Sequence, residues 1–305
     1  MKIAAFDIGS NSILCNISEV IDSKIINTIF DESEVCRFGD GLNKSGLLND
    51  KAMDRTFIAL KRLVNVCKIN KVDKILSAGT MALRTAKNSD EFIKKVEKEL
   101  KLKIKIIYGE DEARLSYLGV ISNNFVQDKK ICVFDVGGGS TELIFGQNEN
   151  IKKSKSLNIG TIRFTEEYLS TDLNCSKNYS FCNNLIFEEL SKFNLSLKPE
   201  MLISVGGTAC TIGAVKLKMQ EYKADKVNGI KISIKDLEEQ ILLYLSTSLE
   251  NRKKIHGLHP KRADVILAGA MITLNILKKF EINSFYVSDK GLRHGLIISY
   301  LKNIK

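Results

Sequence analysis

The chain reads as an α/β protein built on mixed sheets, and three observations predict that class. Apolar runs with strand character alternate with segments of helical periodicity. Two of the runs end in the same Phe-Asp-x-Gly turn, at 6–9 and 134–137, 128 residues apart, the offset of an internal repeat. Each of these turns is followed at once by a further apolar run, so each repeat opens on a hairpin, which makes the sheets mixed rather than purely parallel.

Taken in order, KIAAF ends at Asp7-Ile8-Gly9-Ser10-Asn11-Ser12 before ILCNISEV, a strand, a tight polar turn and a strand. Asn49-Asp50 is a capping signal for a helix with Met53, Phe57, Leu60, Val64 and Cys67 spaced by three and four. KILSAG at 74–79 is a strand. Ser89 is expected to cap a helix that turns Phe92, Val96 and Leu100 inward; KIKIIYG at 103–109 is another strand, and EDEARLSYLGV at 110–120 begins a helix. The second hairpin runs from KKICVF through Asp135-Val136-Gly137-Gly138-Gly139-Ser140-Thr141 to ELIFG. MLISV then breaks at Gly206-Gly207-Thr208 and leads into a helical TACTIGAV. The polar stretch SNNFVQDKK, within 121–130, marks a boundary between a domain of 1–124, rejoined by the terminal helix 291–305, and a second domain of 125–290.

Composition narrows the function. With 305 residues and 44% hydrophobic content the chain is long enough for two domains and too apolar to be disordered. The longest apolar stretch, 263–277, is interrupted by Asp264, Thr273 and Asn275, short of the ~18 uninterrupted residues of a bilayer span. Asp7 cuts short the N-terminal apolar run, which is wrong for a signal peptide, so a cytoplasmic protein without a membrane partner is expected. The seven cysteines (15, 36, 67, 132, 175, 182 and 210) are odd in number, lack C-x-x-C spacing and mostly sit among apolar neighbours, the pattern of reduced core thiols. His256, His259 and His294 have no spaced partners of a zinc signature. The net charge of +10 points either to a polyanionic partner, such as nucleic acid, a phosphorylated metabolite or a phosphate polymer, or to a solvated lysine-rich surface.

A glycine turn after a buried strand offers backbone N–H groups to phosphate oxygens, and Gly137-Gly138-Gly139 permits positive φ and close approach, with hydroxyls from Ser140 and Thr141. Either turn alone reads equally well as a plain hairpin; the pairing, with an aspartate opening each, favours two turns holding a phosphate chain and a cation. Asp7 and Asp135 lie at strand ends, and Glu142, seven residues on, can meet Asp135 across its hairpin. These are hard oxygen ligands of the kind Mg²⁺ takes. Glu110, Asp111 and Glu112 either complement a helix dipole or supply a base that polarises water. Arg84 suits a phosphate clamp or a surface ion pair; Arg262 and Arg293 read as structural.

These segments resemble the exopolyphosphatase and guanosine pentaphosphate phosphohydrolase (Ppx/GppA) family of the actin-like ATPase-fold superfamily. The resemblance rests on FDIGSNS (6–12), RFGDGLNKSGLL (37–48), AGTMALRTAKN (78–88), YGEDEARLSYLGV (108–120), FDVGGGSTEL (134–143), SVGGTACTIGAV (204–215), PKRADVILAG (260–269) and VSDKGLRHGL (287–296), in family order. It implies two ribonuclease-H-like domains facing a central cleft. It also implies Mg²⁺-dependent removal of the terminal phosphate from inorganic polyphosphate or guanosine pentaphosphate. Carried over by position, Glu112 is the water-activating base, and Asp135 and Glu142 are catalytic and metal-binding carboxylates, with Asp7 beside them. Ser10, Asn11, Arg84, Gly137, Gly138, Gly139, Ser140, Gly206, Gly207 and Thr208 bind substrate phosphate. The acidic residue at position 110 leaves the choice of base between Asp111 and Glu112 open, and His294 stands where the family often has Glu. Long members carry further helical domains, so a chain ending at Lys305 is expected to favour shorter polymers or the nucleotide. The resemblance alone carries homodimerisation. The competing readings are a non-catalytic polyphosphate or alarmone sensor and an ATP-dependent kinase on the same fold. A specific nucleic-acid partner is not expected, because no aromatic stacking motif accompanies the lysines.

Overall fold

A computed structural model describes residues 1–22, 24–126, 128–169, 179–194 and 198–304. In chain order the elements are β1 (Lys2–Ile8), β2 (Ser12–Ile21), β3 (Lys24–Val35), α1 (Leu42–Ser45), α2 (Asp50–Ile69), β4 (Lys74–Gly79), α3 (Met81–Thr85), α4 (Ser89–Leu100), β5 (Lys105–Ile106) and α5 (Gly109–Ile121). They continue with β6 (Lys130–Val136), β7 (Thr141–Gln147), β8 (Asn150–Leu157), α6 (Thr161–Tyr168), α7 (Tyr179–Ser191), β9 (Met201–Val205), α8 (Gly206–Lys216), α9 (Ala224–Val227), β10 (Lys231–Ser233), α10 (Ile234–Ser246), α11 (Leu249–Arg252), α12 (Ile266–Phe280), β11 (Ser284–Val287) and α13 (Leu292–Asn303). The chain forms two compact units, Met1–Gly119 with Gly291–Lys305, and Val120–Lys290.

In the first unit the sheet order is β3-β2-β1-β4-β5. β1 to β3 are antiparallel, while β4 and β5 run parallel to β1. Alternation along β1 sends Ala4, Phe6 and Ile8 into a core with Leu60 and Leu63 of α2 and Phe92 and Val96 of α4, and sends Ile3 and Ala5 to Ile297 and Leu301 of α13. The α2 helix starts where Asn49 accepts the Ala52 amide at 2.8 Å. Leu60, Val64 and Cys67 are buried as the spacing predicts, whereas Met53 and Phe57 lie at the edge of the stripe and Ala52, Thr56, Ala59 and Leu63 complete it. At α4 the inward residues Phe92, Val96 and Leu100 are as expected, but the N-cap is Asn88 and not Ser89. Asn88 makes no side-chain cap bond, because its amide is held by Leu48 in both directions, at 2.8 and 2.9 Å. The strand expected over 103–109 shrinks to Lys105–Ile106: the Ile107 amide still reaches Gly79, but its carbonyl is taken by Arg84.

The second unit repeats this plan in the order β10-β11-β9-β6-β7-β8, again with an antiparallel meander on one side of the central strand and two parallel strands, β9 and β11, on the other, to which β10 adds an antiparallel edge. Cys132, Phe134 and Val136 of β6 face a core shared with α8 and α12, where Phe134 meets Phe285 edge-on at 5.5 Å. The apolar stretch 263–277 lies mostly in α12, whose residues are buried almost all round. Among the described residues no helix is long and apolar enough to cross a membrane. The six described cysteines form no disulfide; five are buried and Cys210 is partly so, while Cys175 lies outside the described residues. Burial pushes the Cys132 thiol up to about 12, and a hydrogen bond with Cys67, added to burial, holds the Cys15 thiol far above its usual range.

Helix α13 is fastened to the first unit by close packing and by charge. A Cβ on Gly295 would collide with the Leu115 carbonyl of α5, and one on Gly119 with the Gly291 carbonyl. Arg293 forks onto Asp31 of β3 at 2.6 and 3.0 Å; His294 Nε2 lies 3.3 Å from the same carboxylate, and Asn16 donates to it at 3.2 Å. Arg293 is thus structural, as its segment suggests. Burial alone would raise the Asp31 pKa, but the Arg293 guanidinium, helped by His294, outweighs it and pulls the carboxyl down to about 2. A carboxyl that titrates near 2 when folded and near 3.9 when unfolded stabilises the fold above that upper value and loses the contribution as pH falls through the lower. Asp31→Asn, which strands a buried guanidinium, is expected to cost about 3 kcal/mol. In urea titrations between pH 5 and pH 2 it should also flatten the acid side of the stability curve; an unchanged slope would refute the assignment.

Candidate functional site

The two repeated turns are closed by the same backbone bond. Gly9 donates to the Ser12 carbonyl at 3.0 Å and Gly137 to the Ser140 carbonyl at 2.9 Å. In each, a Cβ on the glycine would press on the accepting carbonyl at 3.1 Å. None of Gly9, Gly137, Gly138 and Gly139 has positive φ, contrary to the freedom expected of the triple glycine; the left-handed glycine is Gly206, at φ +83°. The triple glycine instead serves close approach: a Cβ on Gly160 would overlap the Gly138 and Gly139 backbone, and the Gly137 and Gly138 carbonyls accept from the Thr161, Ile162 and Arg163 amides at 2.8 to 3.1 Å. In the first unit the carbonyls of Ser10 and Asn11 accept from Gly39, Cys36 and Arg37 at 2.7 to 3.0 Å. Both turns therefore turn their carbonyls into the fold, leaving the outer side to N–H groups, the polarity an anion needs.

Asp7 is the penultimate residue of β1 and pairs in register with Leu14; Asp135 is the penultimate residue of β6 and pairs with Glu142. The sequence left open that Glu142 is an ordinary exposed strand residue. It is 4% exposed, and its Oε1 accepts hydroxyls from Ser140 and Ser156, each at 2.8 Å. The Asp135 carboxylate lies against the Gly206 α-carbon, where β9 passes into α8, and a Cβ there would collide with it. Asp135 and Glu142 thus form a cross-strand pair of hard oxygen donors on one sheet face. One or two such carboxylates, completed by water and phosphate, suffice for a small divalent cation. Among the described residues no group of three or more His, Cys, Asp or Glu is arranged to hold a metal ion.

In the first unit, Arg84 of α3 reaches the Ile107 carbonyl at 2.8 Å and Glu112 Oε2 at 3.0 Å, and both side chains are largely buried. Asp111, by contrast, makes only a 3.8 Å exposed pair with Arg114, and Glu110 is exposed. The structure therefore joins two residues that the sequence treated separately and singles out Glu112 from the acidic run. Three hydroxyls expected to face phosphate are used internally. Ser140 donates to Glu142, Thr208 to the Val136 carbonyl at 2.7 Å, and Thr141 to the Ile159 carbonyl at 2.7 Å. Ser10 is buried with its Oγ 4.0 Å from Met81 Sδ.

Arg262, read as structural from sequence, is buried with its guanidinium lying on Gly207, where a Cβ would overlap it, at the first turn of α8. The signal that a Gly-Gly step after a buried strand leaves room for a flat cation was present, but the partner, 55 residues away, was not. His259, free of a metal pattern, caps a short turn by accepting the Lys261 amide at 3.1 Å.

This duplicated arrangement is that of the actin-like ATPase fold. Residues 17–304 match the model of the Ppx/GppA phosphatase family. A bifunctional 3-dehydroquinate synthase/phosphatase of Fusobacterium nucleatum is 35% identical over 98% of this chain, which spans 46% of that protein's length. An exopolyphosphatase 2 of Mycobacterium tuberculosis is 26% identical, over 98% of both chains. The crystal structure of the Aquifex aeolicus Ppx/GppA family member superposes with a TM-score of 0.84 at 30% identity, covering 100% of this chain and 99% of that one. With the family match running through most of both units, including the second turn and Glu112, Asp135 and Glu142, the chain belongs to the Ppx/GppA phosphatase family.

Proposed function

We propose that the chain is a phosphoanhydride hydrolase that removes the terminal phosphate of inorganic polyphosphate or of guanosine pentaphosphate, with water as acceptor. The observation that carries this reading is the buried pair of Arg84 and Glu112: of three adjacent acids, one is fixed by a guanidinium at 3.0 Å on a helix end. A carboxylate so held keeps one geometry, as a base that orients and deprotonates water must. In the reaction the water oxygen bonds to the terminal phosphorus, its proton passes to Glu112, and the bridging P–O bond breaks to leave a chain shorter by one phosphate. The N–H groups of the Ser10–Asn11 and Gly137–Ser140 turns would bind phosphate oxygens, where most stabilisation in phosphoryl transfer arises. Arg84 acts on phosphate in this reading while also positioning Glu112, and Gly206, Gly207 and Thr208 shape the α8 end beneath Arg262. Asp135 and Glu142 would hold Mg²⁺, with Asp7 the remaining candidate ligand, and the ion would neutralise charge on the phosphoryl oxygens when bound. A cytoplasmic homodimer without a specific nucleic-acid partner belongs to the same reading.

Phosphate release from polyphosphate of defined length and from guanosine pentaphosphate is expected with Mg²⁺ and not with chelator. Glu112→Gln should lower kcat by at least ~10²-fold while leaving substrate affinity within a few-fold; wild-type kcat in that variant would remove Glu112 from the mechanism. Binding of both compounds with no phosphate release from the wild type would convert the reading to a sensor. Gly206→Ala places a Cβ on the Asp135 carboxylate at φ +83°. It should leave a folded protein with a raised Mg²⁺ requirement and at least ~10-fold lower kcat, since a misplaced ligand costs this much or more; an unchanged Mg²⁺ dependence would argue against Asp135 as ligand.

A further inference from the structure

A sheet edge carries a row of unpaired backbone donors and acceptors, and proteins blunt it with short strands or with lysines. Among the described residues the two sheets end at β5, β10, β8 and β3. β5 has two residues and β10 three. β8 is longer but carries Lys152, Lys153 and Lys155, all exposed. β3 has neither protection. It runs for twelve residues, is exposed over 24–28, and holds no charge over 25–30, where Ile26 is 53% exposed. Among the described residues, no backbone bond from a turn, loop or cap reaches 25–33.

The register of β3 decides what can pair with it. β2 pairs Val20 with Ile25, Glu19 with Asn27, Ser18 with Thr28 and Ile17 with Phe30, so Ile26 and Ile29 are each passed over. One bulge therefore lies on either side of the Asn27–Thr28 step. Bulges bend a strand and raise its twist, which turns such an edge away from a flat partner. A second β3 laid antiparallel bends in the same way and brings its own two bulges to the same step.

Charge selects the same arrangement. β3 starts on Lys24 and becomes acidic at its far end, with Asp31, Glu32 and Glu34. Parallel copies would set these carboxylates like against like, whereas antiparallel copies centred on Thr28 set Lys24 of each opposite Glu32 of the other and Ile26 opposite Phe30. We propose that β3 is the interface of a homodimer, in which two copies pair this strand antiparallel about Thr28 and join their first-unit sheets into one. The contact is isologous, the same strand serving on both sides. It gives the homodimer of the proposed function its surface and does not rest on the hydrolase chemistry.

Ile26→Lys places a charge at a position that β2 leaves unpaired, so it should fold with a melting temperature within a few degrees of the wild type. In sedimentation velocity the wild type should pass from monomer to dimer in the micromolar range, as a small interface does. Ile26→Lys should raise that midpoint at least ~10-fold, while Ile58→Lys, on the exposed face of α2, should leave it unchanged. Thr28→Cys should give a disulfide-linked dimer under mild oxidation, because residues directly opposite in an antiparallel pair lie about 4.5–5.5 Å apart at Cα. The wild type, with its native cysteines alone, should give none. A link through Asn27→Cys and not Thr28→Cys would keep the interface but overturn the Lys24–Glu32 contact. A wild type that stays monomeric up to about 100 μM would overturn the proposal. So would a dimer that survives Ile26→Lys and is linked through neither cysteine. Phosphate release is read separately, so neither result bears on the hydrolase reading.

Discussion

The constraint on which the rest depends is the backbone bond that closes each repeated turn, from the amide of the first glycine to the carbonyl three residues on. It fixes where the returning strand starts, and so fixes the register that sets Asp7 opposite Leu14 and Asp135 opposite Glu142. Because side chains alternate along a strand, an aspartate at the penultimate position shares a face with Ile3 and Ala5, or with Ile131 and Val133, but lies beyond the end of their packing. A slip of one residue would carry both carboxylates into the opposite, apolar core. The closing bond therefore sets the position of the charge as well as the shape of the loop.

The repeat reaches further than the hairpins. Thr80 follows β4 as Thr208 follows β9, again 128 residues apart, and each is bonded to the strand whose turn it adjoins: Thr80 through its amide to the Ile8 carbonyl at 3.2 Å, Thr208 through its hydroxyl to the Val136 carbonyl at 2.7 Å. Within this common frame the copies have diverged. Where the first has Leu14, the second has Glu142 and two hydroxyls to hold it. The first instead keeps a carboxylate on a helix, Glu112, and holds it with a guanidinium. Two identical turns thus carry different carboxylate chemistries, because the residues that hold each carboxylate lie outside the turn.

This divergence explains what was legible in the sequence. The hairpins, α2, α4, α8 and the start of α5 could be read because turn residues and apolar spacing are local signals. The cap of α4 was misassigned because Asn88 is bonded to Leu48, 40 residues away, and β5 was read too long because Arg84 takes the carbonyl that would have extended it. The same limit applies to the site. Asp7, Asp135 and the glycines announce themselves by position, whereas the burial of Glu142 depends on Ser156, the pairing of Glu112 on Arg84 and the seat of Arg262 on Gly207. Each of these is a contact between segments distant in sequence, and none leaves a local periodicity. Even the triple glycine, read for positive φ and close approach together, uses only the second, yielding space for Gly160.

The internal use of hydroxyls has a consequence for recognition. Ser140, Thr141 and Thr208 all donate to protein acceptors, so little hydroxyl chemistry is left to read a ligand's shape. What the proposed reading leaves on the outer side of the turns is backbone N–H, one carboxylate pair, Asp135 and Glu142, suited to a hard cation, and arginines. In the proposed reaction such a surface would recognise charge repeated at the spacing of phosphate oxygens and be indifferent to what the far end of the chain carries. On the proposed function, discrimination between a phosphate polymer and a nucleotide would then come from residues away from these turns, while the turns would set the reaction common to both.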